Sequence, residues 1–262
     1  MTALRRFHAP DARESGQEIL LSPDESLHLR RVLRLEAGDA ISLFDGRGRG
    51  FSGTVVGWGG NQARVRVGEA EPESRESGLP LALAPSIAKG DTMDLVIQKC
   101  TELGVTSIQP LHTRFAEVRL DSERGEKRIE RWRRVALEAC KQSGRSRIPE
   151  IHPVRDLESF LKDDTPGARL VLDPAGESSR DRLRAKLEEA PRVILAVGPE
   201  GGWSAKEKES FLASAYFPFR LGPRILRSET AAIVSVALIQ FLAGDLSGES
   251  SGPMDNALIT KA

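Results

Sequence analysis

The stretch AVGPEGGWSAKE, Ala196–Glu207, decides the fold. It follows the apolar run RVILAV, turns through Gly198, Gly201 and Gly202, and opens a helix at Ser204. Ser204 and Glu207 stand three residues apart, the spacing of a capping box, so the new helix begins with free amides that face back toward the loop. A continuous apolar strand, a glycine turn and a helix start form one unit of an open α/β sheet, and ligands of such sheets bind at the carboxyl ends of the strands. The stretch LGPRILRSETAA, Leu221–Ala232, repeats the arrangement one unit later. There the strand FPFRL ends at Gly222-Pro223 and a helix begins near Ser228, with Glu229 in its first turn. The alternative for the first stretch is a tight structural turn.

Working outward, the same alternation runs from Leu79 to the last helix. LALAP leads to GDTMDLVIQKCTELG, SIQPLH to EKRIERWRRVALEACKQSG, ARLVLD to SRDRLRAKLEEA, RVILAVG to SAKEKESFLASA, and FPFRLG to RSETAAIVSVALIQFLAG. Strands alternating with helices predict a parallel sheet covered on both faces. The last helix is apolar nearly all round, which implies deep burial or an interface. Residues 1–70 read differently, as a small β-rich domain. EILL is strand-like, SPDE (Ser22–Glu25) is a capping box with proline at the first helical position, and SLHLRRVLRL continues as a short helix. AISLF, GFSGTVVGW and QARVRVG are strands separated by the hairpin turns DGRGRG and GGN. Residues 71–80 read as a linker, 81–245 as the α/β domain and 246–262 as a frayed polar tail.

Gly48-Arg49-Gly50-Phe51-Ser52-Gly53 matches GxGxxG, but it leads into a strand, so a hairpin is the better reading than a dinucleotide loop. Neither glycine stretch near the C-terminus carries GxxxxGK[ST] or GxGxxG, which argues against a phosphate or dinucleotide guest. Arg224 and Arg227 flank the second loop; they are either solvated or placed to hold an anion.

The 262 residues are 39% hydrophobic and 29% charged, the composition of a soluble globular chain. Lys plus Arg and Asp plus Glu both number 38, so any surface for a polyanion is local. Eight basic residues between Lys127 and Arg147 (Lys127, Arg128, Arg131, Arg133, Arg134, Lys141, Arg145, Arg147) and Arg30, Arg31 and Arg34 form such patches, read as RNA contacts or as ordinary solvated helix faces. Trp132 reads as core. Cys100 and Cys140 read as buried small hydrophobes, and the absence of CxxC, HExxH or HxxxH spacing argues against a metal site. Scarce cysteine fits a reducing cytoplasm, no apolar run spans a bilayer, and MTALRRFHAP is not a secretory signal. The four histidines follow no catalytic spacing.

The segments HLRRVLRLEAGDAISLFDGRG, QKCTELGV, KQSGR..IPEI, GPEGGWS and LGPRILRSETA, in this order, resemble the RsmE family of bacterial 16S ribosomal RNA uridine N3-methyltransferases, members of the SPOUT superfamily. Trp203 stands where the family usually has phenylalanine, and Ser228 where threonine is usual. The resemblance implies an N-terminal PUA-like RNA-binding domain and a SPOUT α/β sheet with a deep trefoil knot near its C-terminus. It implies a cytoplasmic homodimer that acts on 16S ribosomal RNA in the small ribosomal subunit, with S-adenosylmethionine as cofactor. The donor contacts it implies are Leu172, Val197, Gly198, Pro199, Glu200, Gly201, Gly202, Leu221, Gly222, Pro223, Ile225, Leu226 and Arg227. RNA contacts would be Arg30, Arg31, Arg34 and Arg145. For catalysis, Arg227 and Arg224 are candidates for stabilising a uridinate, and Glu200 and Glu229 for its base, unless either carboxylate only holds loop amides. Two other readings stay open: a ribose 2′-O-methyltransferase, and a non-catalytic RNA-binding assembly factor.

Overall fold

The computed structural model describes residues 5–71, 75–116, 122–188 and 190–247, with 122–124 as backbone only. The expected tail therefore falls outside the described residues from 248 onward, as do residues 72–74 of the expected linker. The chain divides into two compact units. One holds the described residues up to Glu76 together with Arg133–Pro149; the other holds Ser77–Trp132 and the chain from Glu150.

In the first unit, β1 (Arg6–His8), β2 (Glu18–Leu20), β3 (Ala40–Phe44), β4 (Gly50–Gly59) and β5 (Gln62–Ala70) form one sheet in the order β1-β3-β4-β5-β2. The three strands and two hairpins expected for β3–β5 are present, and Gly48–Gly53 lies in the β3–β4 hairpin rather than before a helix. The parallel strand β1, too short to show a period, escaped the pattern. Phe7, Ile19, Leu21, Leu29, Ile41, Leu43, Val55 and Val65 build the core. The helix expected over Ser26–Leu35 is shorter. An α-helix α1 (Pro23–Leu27) runs into one π-helical turn, His28–Val32, which leaves Arg30, Arg31 and Arg34 exposed.

Ser22 caps α1 by accepting from the Glu25 amide, but Glu25 does not complete the expected box. Its carboxylate is buried and meets Lys141 Nζ at 2.6 Å. A buried carboxylate needs a charged partner more than a helix end needs a second cap.

In the second unit, β6 (Leu81–Pro85), β7 (Ser107–Ile108), β9 (Glu150–Ile151), β11 (Ala168–Glu177), β12 (Val193–Val197) and β13 (Phe217–Phe219) make a six-stranded sheet in the order β13-β11-β12-β6-β7-β9. Every pairing in it is parallel, as the continuous apolar runs require. The proline in β13 is tolerated because the strand is an edge. Strands β8 (Leu111–His112) and β10 (Arg155–Asp156) pair separately. The helices are α2 (Thr92–Glu102), α3 (Ser122–Ser143), α4 (Leu157–Leu161), α5 (Arg180–Glu188), α6 (Ala205–Ala213) and α7 (Ser228–Ala243); α3 runs from the second unit into the first. Trp132 is buried, as expected.

Candidate functional site

Three strand ends build the site. β12 delivers Val197 into the first glycine loop, and β13 delivers Arg220 and Leu221 into the second. Between them β11 bulges. Leu172 and Glu177 both pair with Phe219, so residues 173–176 are looped out of the ladder. Gly176 makes this bulge possible, since a Cβ there would stand 2.8 Å from the backbone of Pro218 and Phe219.

The bulge and the two loops enclose a cleft. It is lined by Leu172, Asp173, Pro174, Val197, Gly198, Pro199, Glu200, Gly202, Trp203, Arg220, Leu221, Gly222, Pro223, Arg224, Ile225, Leu226, Ser228 and Ala231. Of the residues expected to meet the donor, all but Gly201 and Arg227 line it. Gly202 and Gly222 carry φ of +69° and +68° with open space where a Cβ would go, so the backbone turns there in a way glycine adopts freely. Asp173, Pro174, Trp203, Arg220, Ser228 and Ala231 were not assigned from the sequence. Asp173 and Pro174 had a signal, because they directly follow the strand ARLVL at its ligand-facing end.

The loops are rigidly mounted. The capping box at the start of α6 is complete: Ser204 Oγ accepts from the Glu207 amide, and Glu207 accepts from the Ser204 amide. The other Glu207 oxygen accepts from the Arg114 amide at 2.7 Å. Trp203 is buried and donates its indole N–H to the Leu172 carbonyl at 2.9 Å, tying the first loop to β11. It stacks edge-on against Phe211 with centroids 4.6 Å apart. Asp173 is buried and holds Lys208 Nζ at 2.8 Å.

At the second loop, Arg227 occupies the N-cap of α7, Ser228 is the first helical residue, and Glu229 lies in the first turn as expected. Ser228 Oγ stands 3.1 Å from Glu200 Oε1 and 3.4 Å from Glu229 Oε2. Its single proton serves one carboxylate at a time, so the hydroxyl links both candidate bases. Arg224 and Arg227 are exposed, and neither forms an ion pair among the described residues.

The basic patches are thinner than the sequence suggests. Arg131 pairs with Asp91 and Asp94, Lys141 with Glu25 and Glu138, and Arg145 with Glu76. Arg145 is only 2% exposed, and both its Nε and a terminal nitrogen reach Glu76 Oε2 at 3.0 and 2.8 Å. The other Glu76 oxygen accepts from the Ser146 and Arg147 amides. Arg145 thus braces the turn, while its neighbour Arg147 is exposed. Arg30 lies over the Trp58 ring at 5.0 Å. Both cysteines are buried and free; burial pushes the Cys100 thiol far up and the Cys140 thiol to about 12, so neither is a nucleophile at neutral pH. Among the described residues there is no cluster of His, Cys, Asp and Glu able to hold a metal, and no helix long and apolar enough to cross a membrane.

Residues 75–240 match the RNA methyltransferase domain, and residues 21–68 match the RNA methyltransferase PUA domain. Ribosomal RNA small subunit methyltransferase E from Synechocystis is 32% identical over 86% of this chain and 73% of its own length. The protein of that name from Rickettsia conorii is 33% identical over 87% and 91%. The chain belongs to the RsmE family. Among solved structures, a Legionella pneumophila putative methyltransferase in complex with bound cofactor SAM matches with a TM-score of 0.87 and 36% identity, over 94% of this chain and all of its own. RsmE of Neisseria gonorrhoeae bound to S-adenosyl methionine matches with a TM-score of 0.85 and 32% identity, over 93% of this chain and all of its own. The N-terminal sheet is thereby a PUA-like domain, and the parallel sheet is the RsmE catalytic fold.

Proposed function

We propose that this protein transfers a methyl group from S-adenosylmethionine to N3 of a uridine in 16S ribosomal RNA of the small ribosomal subunit. The observation that carries the reading is the cleft between the two glycine loops, set at the carboxyl ends of β11, β12 and β13 in a chain of the RsmE family. Its lining fits that donor. Leu172, Val197, Pro199, Leu221, Pro223, Ile225 and Leu226 offer apolar surface, and the glycine turns offer backbone amides and carbonyls. Such a lining suits an adenine, a ribose and an amino acid, and the absence of a phosphate loop suits a molecule without phosphate. Bound there, the donor would supply a methyl group on a sulfonium, with a neutral thioether as the leaving group.

The chain's own task is to prepare the nucleophile. Uridine N3 carries a proton at neutral pH, and its lone pair becomes useful as that proton leaves. Arg224 and Arg227, exposed beside the second loop, stabilise the uridinate by fixed positive charge. Glu200 or Glu229 takes the proton, and Ser228 holds the two carboxylates in register through its hydroxyl. Gly201 and Arg227 complete the donor loops from outside the cleft wall.

The wider assembly follows the family. The catalytic sheet would carry a deep trefoil knot, and the protein would work in the cytoplasm as a homodimer. A groove of about 490 Å³ supports the dimer: Val234, Leu238 and Leu242 of α7 give it an apolar wall with Leu183, Glu177 and Arg180 stand at its polar side, and it shares residues 220–222, Arg224 and Leu226 with the donor cleft. RNA phosphates would be met by Arg30, Arg31 and Arg34; Arg147 takes the place first expected for Arg145, whose charge is spent on Glu76.

The test is incubation of the protein with labelled S-adenosylmethionine and small subunits that lack the modification. Label in the RNA is expected. Subunits that bind but stay unlabelled would overturn the reading and leave an assembly factor.

A further inference from the structure

Phe115 is 46% exposed, yet its position is tightly fixed. Two residues before it, Thr113 Oγ1 shares a hydrogen bond of 2.8 Å with Ser86 Oγ at the end of β6, and both residues are buried. One residue before it, the Arg114 amide donates to Glu207 in the capping box of α6. One residue after it, the Ala116 amide closes a turn onto the Thr113 carbonyl at 3.1 Å. Three hydrogen bonds therefore fix the backbone that carries this exposed aromatic side chain.

What it touches is the donor loop. A Cβ added to Gly201 would stand 3.0 Å from Phe115 Cβ and 3.4 Å from its Cγ. Gly201 is the one residue of the stretch 198–203 that does not line the cleft, so Phe115 packs on the loop's other side, one backbone thickness from the donor site. Phe115 lies outside the apolar clusters around Phe7 and around Trp203, and the exposed Arg114 beside it gives the spot a positive charge.

We propose that Phe115 stacks an unpaired nucleobase of the substrate RNA at the edge of the donor cleft. This rests on the methyltransferase reading above. A uridine inside a helix has N3 engaged in pairing, so the RNA must open locally to be methylated, and opened bases lose their stacking partners. A fixed aromatic face returns that stacking without regard to base identity. The fixed backbone matters, because a ring carried on an ordered segment has less freedom to lose when the base arrives.

The experiment compares Phe115→Ala, Phe115→Leu and Phe115→Trp. It reads filter binding to unmodified small subunits, KM and kcat for methyl transfer, calorimetric affinity for S-adenosylmethionine, and the oligomeric state by light scattering. Phe115→Ala should weaken subunit binding and raise KM about tenfold, with donor affinity and kcat within about twofold of the parent. Phe115→Trp should restore binding and Phe115→Leu should not, since only a ring stacks. Unchanged subunit binding in Phe115→Ala, or full rescue by leucine, overturns the proposal. So does conversion to a different oligomer, which would make Phe115 a contact between copies. If the parent transfers no methyl group, the methyltransferase reading fails, while the binding comparison still decides whether Phe115 holds RNA.

Discussion

Trp203→Phe is the most informative single change at the site, because phenylalanine is the usual family residue there. The ring survives, and so does most of the edge contact with Phe211. What is lost is the indole N–H to the Leu172 carbonyl, a bond of 2.9 Å donated by a side chain whose residue is only 6% exposed. A hydrogen bond of this kind contributes about 1 kcal/mol net. The smaller ring also leaves a space of roughly 40 Å³, which at about 24 cal/mol per Å³ adds about 1 kcal/mol. The variant should therefore be about 2 kcal/mol less stable in urea denaturation. Leu172 lines the cleft, so freeing its carbonyl should also weaken S-adenosylmethionine binding, by up to about tenfold if 1.4 kcal/mol of positioning is lost. Calorimetric titration reads the second effect directly. Stability within about 0.5 kcal/mol of the parent, together with unchanged donor affinity, would refute the claim that Trp203 ties the first loop to β11, since a change of that size is what an ordinary surface substitution gives.

Three further outcomes are expected. Arg227→Ala should lower kcat while leaving donor affinity nearly intact, because the side chain stands outside the cleft wall; equal losses in single-turnover rate and titration would indicate a structural role. Arg145→Ala and Arg147→Ala should part company: the first removes a buried guanidinium from Glu76, which keeps the Ser146 and Arg147 amides, and should cost about 1.5–3 kcal/mol in denaturation, whereas the second should leave stability alone and reduce the salt slope of RNA binding by about one. Asp45 gives a pH signature. Burial pushes its pKa up, but the Arg47 and Arg49 amides and the Arg49 guanidinium pull harder, so the carboxyl titrates below its ordinary 3.8. Its stabilising contribution is present above that ordinary value and is lost as pH falls through the lowered one, so the parent's stability should drop more steeply below about pH 4 than that of Asp45→Asn.

Much of the fold was legible because period and punctuation agree. RVILAV reads as a buried parallel strand, and the fully buried β12 is one. Ser204 and Glu207 read as a capping box and form one, because one Glu207 oxygen is enough for the box while the other takes the distant Arg114 amide. The same spacing at Ser22 and Glu25 half failed, because Lys141 lies far along the chain and no local pattern reveals it. Charge counting failed at Arg145 for the same reason: Glu76, its partner, is 69 residues away. The first glycine loop and the second were visible as motifs. The wall between them was not, since the β11 bulge depends on Gly176 meeting β13 backbone, a contact that leaves no periodic trace.

The central claim concerns position on the base, and mass spectrometry of nucleosides tests it most directly. Small subunits lacking the modification would be treated with the protein and S-adenosylmethionine, their 16S ribosomal RNA digested, and the methylated nucleoside identified. The account predicts N3-methyluridine at a single site. Methyl on a ribose 2′-oxygen, or on any base atom other than uridine N3, would contradict it.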